Sequence, residues 1–392
     1  MQPLEGITVV ALEQAVAAPL ATRHLADLGA RVIKIERPGV GDFARAYDTT
    51  VGGLSSHFVW LNRSKQSLTL DVKAAEARAV LGRLLTRADV FVQNLAPSAA
   101  ERVSLGTGEL RQKYPRLIVC NLSGYGASGP YRDKKAYDLL IQSEAGLLSI
   151  TGTEEEPSKA GISVADIAGG MYAYSAILTA LFMRQLTGQG TTIEVSLFEA
   201  LGEWMGYPAY YTKYGGKAPA RTGAAHAAIA PYGPFESGDQ KRVFLGVQNE
   251  REWERFCRVV LQRRELATDP RFDSGSRRVA NRRDLHVTIE EVFSRLTASE
   301  IIARLEEAQI ANARMNSVQE FIEHPQLASR KRWREIDSPV GKLSALIPPV
   351  DVAGVEPVMG PIPSLGQHSD LILTEIGFDA PTVQSWRERG VI

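Results

Sequence analysis

One carboxylate in this sequence stands where it could do chemistry. Asp166 precedes a long apolar pattern with helical spacing in GISVADIAGGMYAYSAILTALFMRQLTGQG, residues 161–190. The N-terminus of a helix stabilises a nearby negative charge by about 0.3 to 1 kcal/mol, so we expect this carboxylate to be ionised. A purely structural role as the N-cap stays open, because aspartate is a favoured capping residue.

Two glycines follow in what the pattern predicts to be the first helical turn. Gly169 and Gly170 each cost about 1 kcal/mol of helix stability relative to alanine. A helix that served stability alone would have no need of both. We interpret the pair as clearing space beside a functional carboxylate.

A second glycine-rich segment, SGYGASGP at residues 123–130, has the spacing of a dinucleotide-binding fingerprint. Such a motif must open a helix, and Pro130 directly after Gly129 disfavours helical geometry there. We therefore predict a turn, at which a ligand could still approach the backbone.

Other common catalytic and metal-binding patterns are missing from the sequence. The six histidines form no HExxH motif or i, i+4 pair, and there is no GxSxG or GxxxxGK[ST] motif. We therefore predict no metal site. The arginines between residues 263 and 283 alternate with acidic residues, which is typical of a solvated face and not of a nucleic-acid surface.

The composition is that of a neutral globular protein with no global field for nucleic acid or an anionic membrane. Its 392 residues include 45 Lys plus Arg and 45 Asp plus Glu. Cys120 and Cys257 form no CxxC, which argues against disulfides and fits a reducing cytoplasm. The start, MQPLEGITVVALEQ, does not resemble a signal peptide. The longest uncharged apolar run, residues 167–183, falls just short of a membrane span, so we predict a buried helix.

The elements that must position Asp166 follow from alternating patterns in the first two hundred residues. Short β-branched runs alternate with helical patterns, which predicts a doubly wound, parallel, Rossmann-like α/β sheet. The predicted strands are residues 7–12, 31–36, 90–93, 117–122 and 191–196, and the predicted helices are 20–28, 74–85 and 167–186.

The chain divides into four segments by composition. Residues 1–206 are the N-terminal part of the large domain, and 207–234 are a linker rich in Gly, Ala, Pro and Tyr. Charged helical patterns predict a smaller α+β domain at 235–317. Residues 318–392 return to the large domain and include a short helix ended by Gly377.

Five sequence blocks carry a specific resemblance to a known family. They are AAPLATRHLADLGARVIKIERPGVGD (17–42), NRSKQSLTLDVK (62–73), VFVQNLAPSAAERVSLG (90–106), AYDLLIQSEAG (136–146) and VADIAGGMYA (164–173). The sequence resembles the family III CoA-transferases, the group of formyl-CoA transferase and carnitine CoA-transferase, over residues 5–200 and on to the C-terminus. The resemblance implies an interlocked homodimer, to whose CoA sites the partner chain could contribute residues.

The resemblance also implies a covalent mechanism. In that family an aspartate at the position of Asp166 attacks the acyl-CoA thioester, which gives a mixed anhydride and CoA thiolate; the thiolate returns to form an aspartyl-CoA thioester. The acceptor acid then repeats these steps in reverse, so no ATP is needed. Backbone N–H groups would stabilise the developing oxyanions, each by roughly 2.7 to 4 kcal/mol.

Matched positions imply a groove for coenzyme A, with no metal. Basic side chains suit the phosphates, and small or apolar side chains suit the adenine and pantetheine surfaces. The matched residues are Ala17, Arg37, Leu70, Lys73, Asn94, Leu95, Arg102 and Lys135.

A rival within this fold is the α-methylacyl-CoA racemase, which moves protons between a histidine and an aspartate. The position of its histidine holds Tyr137 here, and tyrosine is a poor base near neutral pH. This disfavours racemisation, although Tyr137 could orient the substrate. A non-catalytic CoA-binding homologue is a further alternative.

The substrate class is predicted from weaker likenesses. The segment RTGAAHAAIAPYG, residues 221–233, corresponds to the glycine-rich loop of formyl-CoA transferases but lacks its four glycines, which puts the handling of oxalate in doubt. Residues 41–48, 56–65, 248–257 and 311–333 resemble the branch that acts on the C4 and C5 dicarboxylates itaconate, citramalate and mesaconate. We expect CoA transfer from succinyl-CoA to such an acid, or, alternatively, intramolecular C1–C4 transfer within mesaconyl-CoA.

A dicarboxylate presents a second carboxylate, which needs an extra cation or several neutral donors. Arg45, Arg221 and His226 are the candidates for this role. Pairing at the surface or between domains is the alternative explanation for each of them.

Overall fold

Residues 2–392, which the computed structural model describes, group into two compact units. The first unit holds the residues up to Gly146, Ala160–Gly206 and Leu327–Ile392. The second unit holds Leu147–Lys159 and Tyr207–Gln326. The segment 207–234, predicted as a linker, therefore groups with the second unit. That unit also extends nine residues beyond the boundary that we predicted after residue 317.

A parallel sheet forms the centre of the first unit, as predicted, and it has six strands, of which the sequence predicted five. Its strands are β1 (Thr8–Leu12), β2 (Arg31–Glu36), β3 (Lys65–Thr69), β4 (Val90–Gln93), β5 (Ile118–Ser123) and β6 (Thr192–Ser196). They lie in the order β3-β2-β1-β4-β5-β6. The order reverses between β1 and β4, and such a switch point is where open α/β sheets bind ligands.

Helices cover both faces of this sheet, because the apolar side chains of each strand alternate between the two faces and both faces must be buried. The helices of this part of the chain are α1 (Ala17–Asp27), α2 (Ser56–Leu61), α3 (Ala77–Arg87), α4 (Pro97–Arg102), α5 (Thr107–Lys113), α6 (Asp138–Glu144), α7 (Val164–Thr187) and α8 (Leu197–Trp204). Val9 and Ala11 of β1 pack in one hydrophobic cluster with α1 and α7. Val10 and Leu12 pack in a second cluster with α3. The doubly wound prediction is thereby confirmed.

Strand β3 is the strand of this sheet that the sequence analysis did not identify. Its sequence, KQSLT, begins with polar residues and lacks the β-branched run of the other strands. Lys65 is nevertheless buried, because its Nζ lies 2.7 Å from the Glu13 carboxylate. Because a buried ion pair stabilises this lysine, β3 can be a buried strand although its sequence is not hydrophobic, and a hydrophobicity pattern does not detect it.

The segment with the GxGxxG spacing forms a turn, as predicted. It follows β5 directly, and the next helix, α6, begins only at Asp138. Gly126 and Gly129 adopt positive φ angles of 93° and 83°, which suit a glycine turn and not a helix.

The second unit contains a small antiparallel sheet and helices. In chain order its elements are α9 (Gly206–Gly215), β7 (Tyr232–Glu236), β8 (Arg242–Gly246), α10 (Glu250–Arg255), α11 (Gly275–Ala280), α12 (Arg282–Phe293), α13 (Ala298–Glu307), β9 (Ala311–Arg314), α14 (Val318–Ile322) and α15 (Pro325–Ser329). The first residue of α9 and the last three residues of α15 belong to the first unit. The sheet order is β7-β8-β9. Trp253, Phe256 and Phe293 lie in its hydrophobic core.

The C-terminal part of the chain belongs to the first unit. It forms a hairpin of β10 (Trp333–Ser338) and β11 (Gly341–Leu346), followed by α16 (Ser369–Glu375) and α17 (Ala380–Glu388). Ile372 and Trp386 pack in the same cluster as Val10. Gly377 follows α16 with a φ of 87°, as expected for a glycine that ends a helix.

Helix α7 is longer than the apolar run predicted for it. Among residues 2–392 it is the helix that is long and apolar enough to cross a membrane, judged by length and composition, and 44% of its most apolar window is buried within the protein. Its contacts with α1 and α8 place it against the sheet of the first unit.

Candidate active site

A cavity of about 560 Å³ lies at the switch point between β1 and β4 of the first unit. Its walls come from residues 14–17 after β1, residues 94–97 after β4, the chain before α6 and the start of α7. This volume is within the usual range for small-molecule sites. The cavity brings together six of the residues predicted from the sequence: Ala17, Asn94, Leu95, Lys135, Tyr137 and Asp166.

The two loops at the switch point are joined by one side chain. Asn94 Oδ1 accepts a hydrogen bond of 3.0 Å from the backbone N–H of Gln14, and Asn94 Nδ2 donates one of 2.8 Å to the Gln14 carbonyl. Asn94 therefore fixes the shape of the cavity wall, in addition to any contact that it makes with a ligand.

Asp166 is the third residue of α7 and does not cap this helix. The N-cap is Ser163, whose side chain makes no capping bond. Instead, Asp138 Oδ1 accepts hydrogen bonds from the backbone N–H groups of Ala165 (2.8 Å) and Asp166 (3.3 Å). The N-cap interpretation of Asp166 is therefore wrong. Its own carboxylate accepts no hydrogen bond from residues 2–392 and lines the cavity.

The expectation that the helix N-terminus keeps Asp166 ionised is also wrong. Burial, and then the negative charge of Asp138, raise the pKa of Asp166 to about 7. The charge of Asp138 occupies the helix N-terminus, and Gln142 Nε2 holds it there through a 2.6 Å hydrogen bond. With a pKa of about 7, the Asp166 carboxyl is partly protonated and partly ionised at neutral pH.

The two glycines of α7 serve close packing and do not clear space beside the carboxylate. They lie in the second turn, since α7 begins at Val164. A Cβ on Gly169 would lie 2.4 Å from a methyl group of Leu197, and one on Gly170 would lie 2.6 Å from the carbonyl oxygen of Ala17. The glycines therefore let α7 approach α8 and the start of α1.

This close approach brings the N-terminus of α1 beside Asp166. Asp166 and Gly170 are four residues apart and share one face of α7, so Ala17, which contacts Gly170, lies near the carboxylate. The N-cap of α1, Val16, offers no side-chain acceptor, and no described residue accepts a hydrogen bond from the backbone N–H of Ala17. Free amides at a helix N-terminus favour an anion.

Comparison with known proteins identifies the family. The profile of CoA-transferase family III matches residues 4–369. The chain belongs to this family. An acyl-CoA transferase of Fusarium pseudograminearum is 35% identical over 407 aligned residues, which cover 99% of this chain and 88% of that protein. The human succinyl-CoA:glutarate CoA-transferase is 32% identical, with coverage of 96% and 86%. The crystal structure of a CAIB/BAIF family protein from Brucella suis has a TM-score of 0.84 at 32% identity, covering 96% of this chain and 99% of that chain.

Four of the CoA residues predicted for this family III enzyme do not line the cavity. Arg37, Lys73 and Arg102 are exposed; the first two follow β2 and β3, at the edge of the sheet where the cavity lies. Leu70 is only 1% exposed and packs in the hydrophobic core. Its side chain therefore does not offer the apolar surface that we predicted for CoA.

The structure places none of the three predicted diacid-binding residues in this cavity. Arg45 is committed elsewhere, because its guanidinium makes two 2.8 Å hydrogen bonds to Glu36 and stacks over the Phe58 ring at 3.7 Å. Arg221 and His226 belong to the second unit. There Arg221 donates to two backbone carbonyls, and His226 stacks on Tyr232 with 5.2 Å between ring centroids.

Two side chains of the cavity were not singled out from the sequence. Tyr47 and His57 both line it, and their rings meet edge to face with 5.3 Å between centroids. Burial, followed by the charges of Asp42 and Asp166, raises the pKa of Tyr47 to about 12, so its hydroxyl stays protonated and can donate. The sequence signal was present, since both residues lie in blocks 41–48 and 56–65 that resemble the dicarboxylate branch.

A buried charge network supports the cavity wall. Lys34 is fully buried, and its Nζ lies 2.8 Å from Asp42 Oδ2. Asp42 Oδ1 accepts hydrogen bonds from the backbone N–H groups of Ala15 and Ala44. Ala15 lines the cavity with a φ of 64°, an uncommon value for a residue other than glycine. The ion pair thus holds a strained loop in the wall of the cavity that Asp166 also lines.

Potential metal ligands do not cluster in the described chain. Within residues 2–392, no group of three or more His, Cys, Asp or Glu side chains is arranged to hold a metal ion.

Proposed function

We propose that this family III CoA-transferase moves CoA between succinyl-CoA and a C4 or C5 dicarboxylic acid, with Asp166 as the nucleophile. The observation that carries the proposal is the unpaired Asp166 carboxylate in the switch-point cavity, next to the free N–H groups at the start of α1. These are the two parts that acyl transfer needs: a nucleophile and donors for an oxyanion.

The reaction balances without ATP or an added redox partner. An oxygen of Asp166 attacks the thioester carbonyl, and the C–S bond breaks to release CoA thiolate and leave an aspartyl anhydride. The thiolate then attacks the aspartyl carbonyl, which frees the first acid as a carboxylate and leaves an aspartyl-CoA thioester. The acceptor carboxylate repeats both exchanges in reverse and regenerates Asp166.

The backbone N–H of Ala17 is the oxyanion donor that we assign. Each attack converts a carbonyl into a tetrahedral oxyanion, and a preorganised donor is worth about 2.7 to 4 kcal/mol in comparable sites. Gly170 makes this arrangement possible, because any side chain there would collide with the Ala17 carbonyl.

CoA would extend from this point along the carboxyl edge of the sheet. Lys135 lines the cavity, and Arg37 and Lys73 are exposed after β2 and β3. These cations suit the phosphates of CoA. Leu95 in the cavity wall supplies apolar surface for the pantetheine arm.

The choice of a dicarboxylate rests on two supports. One is the resemblance of the blocks containing Tyr47 and His57 to the branch acting on itaconate, citramalate and mesaconate. The other is the human relative, which is named for succinyl-CoA and glutarate. Intramolecular transfer within mesaconyl-CoA uses the same aspartate and differs only in needing no free acceptor acid.

We also infer a homodimer. Phe182 and Leu186 on α7 are 62% and 73% exposed, and Tyr210 and Tyr214 on α9 are 67% and 75% exposed. Large apolar side chains grouped in this way on a helix favour contact with another chain. Sedimentation at micromolar concentration should give twice the mass of one chain, and a monomer would contradict the inference.

Mass spectrometry of the intact protein tests the proposed chemistry. After mixing with succinyl-CoA, the wild type should gain the mass of CoA minus one water on Asp166, and hydroxylamine should remove it. Asp166→Ala should gain nothing and lose exchange activity, although it still binds CoA. A panel of acids then identifies the acceptor. A wild type that binds CoA without adduct or exchange would contradict the proposal.

A further inference from the structure

His57 in the Asp166 cavity has an imidazole whose hydrogen bonds the fold does not satisfy. Its Nδ1 is shielded from solvent and has no hydrogen-bond partner among residues 2–392. Asp48 Oδ2 lies 3.9 Å away, which is too far for a hydrogen bond. The side chain is 41% exposed and lines the cavity. A packed structural histidine would normally have a partner for a buried nitrogen.

The surroundings of His57 hold the ring in place and put a negative charge behind it. The backbone N–H of Thr50, the hydroxyl of Ser56 and the backbone N–H of Ser56 all donate to Asp48, which holds the pKa of Asp48 well below its usual range. On another side, the Tyr47 ring packs edge to face against the imidazole. The ring thus packs against Tyr47 with the Asp48 carboxylate near its Nδ1, and its Nε2 makes no hydrogen bond with residues 2–392.

Tyr47 connects His57 to the reactive centre. Tyr47 lines the same cavity as Asp166, and its ring contacts the imidazole at 5.3 Å between centroids. From standard C–C bond lengths, the two carboxyl carbons lie about 3.9 Å apart in succinate and in the branched C5 diacids itaconate, citramalate and mesaconate, and about 5 Å apart in glutarate. A diacid with one carboxyl at Asp166 would present the other to the wall of the same cavity, which His57 also lines.

The other basic side chains of the cavity already have partners or a role. Lys134 pairs with Glu144, and Arg132 pairs with Glu101. Lys135 makes no ion pair among the described residues and is the cation that we assign to CoA. Among the basic side chains of the cavity, this leaves His57 to donate an N–H to a second carboxylate.

We propose that His57 binds the distal carboxylate of the dicarboxylic substrate and so sets the preference of the enzyme for diacids. The inference rests on the proposed CoA transfer through Asp166. A carboxylate on Nε2 and Asp48 beside Nδ1 would flank the imidazole on both sides. The role expected of Arg45 from the sequence is thereby given to a residue that the fold leaves free.

Two acyl donors that differ only in the distal carboxylate test this inference. Succinyl-CoA and butyryl-CoA have the same chain length, and each is mixed with enzyme while the rate of CoA-adduct formation on Asp166 is followed by mass. His57→Phe keeps an aromatic ring against Tyr47 but removes both N–H donors, and His57→Gln keeps one neutral donor. His286→Phe, in the second unit, is the control for the substitution itself.

The expected result is a change in preference and not a general loss. His57→Phe should slow the reaction of succinyl-CoA by about 10- to 100-fold, the usual range for a hydrogen bond to a charged group, and leave butyryl-CoA within about threefold. His57→Gln should fall between the wild type and His57→Phe. His286→Phe should retain the wild-type preference.

Two outcomes would overturn the inference. Equal losses with both donors would assign His57 to packing, and unchanged rates with both would assign it no role. These outcomes are distinguishable from a failure of the CoA-transfer proposal itself, in which the wild type would form no adduct with either donor. A retained rate with butyryl-CoA shows that a variant is folded. If His57→Phe does not fold, the comparison is made with His57→Gln instead.

Discussion

The carboxylate of Asp138 accepts hydrogen bonds from the backbone N–H groups of Ala165 and Asp166, at 2.8 and 3.3 Å. Asp138 therefore caps the helix that carries Asp166, the proposed nucleophile, and places a negative charge next to it. Capping stabilises α7, whereas the charge makes ionisation of Asp166 harder. One side chain thus builds the site and also sets its protonation behaviour.

The first prediction is that adduct formation depends on pH with a midpoint near 7. Only the carboxylate form of Asp166 is a nucleophile, and burial together with Asp138 raises its pKa to about 7. The rate constant for adduct formation from acyl-CoA, measured below saturation, should fall as the pH drops from 8 to 6. The reaction is stopped at several times at each pH, and the mass of the protein gives the rate constant as a function of pH.

Asp138→Asn separates the charge of Asp138 from its capping role. The asparagine oxygen can still accept from Ala165, so α7 stays capped, while the repulsion on Asp166 disappears. The acid limb of the curve should move to lower pH, and the rate at pH 6 should rise relative to the rate at pH 8. A midpoint identical to that of the wild type would show that Asp138 does not influence the titration.

The scaffold of this site could be predicted from the sequence because its signals are local. The apolar runs of β1, β2 and β4, the amphipathic pattern of α1 and the turn after β5 each depend on a few neighbouring residues. Asp166 stands out for the same reason, since it lies in the first turn of a long apolar helix. The parallel sheet then fixes which loops meet at the switch point.

The partners of these residues could not be predicted because they are distant in sequence. Asp138 is 28 residues from Asp166, and Gly170 meets Ala17 across two helices. Patterns also mislead where charges are buried: β3 begins with Lys65, whose partner Glu13 lies 52 residues away. No sequence pattern indicated a partner for Arg45, and the fold shows that Arg45 pairs with Glu36.

The second prediction concerns Gly170, where an added methyl group has no room. A Cβ there would lie 2.6 Å from the Ala17 carbonyl oxygen, so α1 and α7 must move apart. Gly170→Ala should destabilise the protein by about 1 to 3 kcal/mol despite its better helix propensity, and should slow adduct formation by displacing the Ala17 N–H. Urea unfolding and the adduct assay measure the two effects.

Gly202 in α8 provides the matched control. A Cβ there meets nothing within 4 Å, and its φ is not in the left-handed region. Gly202→Ala should therefore gain up to about 1 kcal/mol from helix propensity and keep full activity. If both variants shifted stability in the same direction, the close approach of α1 to α7 would not be what requires Gly170.

The third prediction concerns the buried ion pair behind the cavity wall. Removing the ammonium of Lys34 leaves the Asp42 carboxylate without its closest cation in a site where neither side chain is exposed. Lys34→Met should cost about 3 to 5 kcal/mol in the free energy of unfolding, as breaking one side of a buried pair usually does. Lys73→Met, at an exposed position, should cost less than about 0.5 kcal/mol and serves as the comparison.

The last prediction distinguishes the structural role of Arg45 from the substrate role that the sequence suggested. The guanidinium pairs with Glu36, whose carboxylate is buried; burial works against ionisation there, but the hydrogen bond from Arg45 and the charge of Lys34 outweigh it and keep the pKa of Glu36 at about 2. Arg45→Ala should therefore destabilise the fold by about 2 to 4 kcal/mol, because it leaves a buried carboxylate short of its main donor.

The substrate profile of the same variant decides between the two roles. The ratio of succinyl-CoA to butyryl-CoA rates should stay within about threefold of the wild type at a temperature where Arg45→Ala is folded, because the guanidinium does not line the cavity. A selective loss of the succinyl-CoA rate with unchanged stability would return Arg45 to the binding site. A general fall in stability with an unchanged ratio would confirm that its partner is Glu36 and not the substrate.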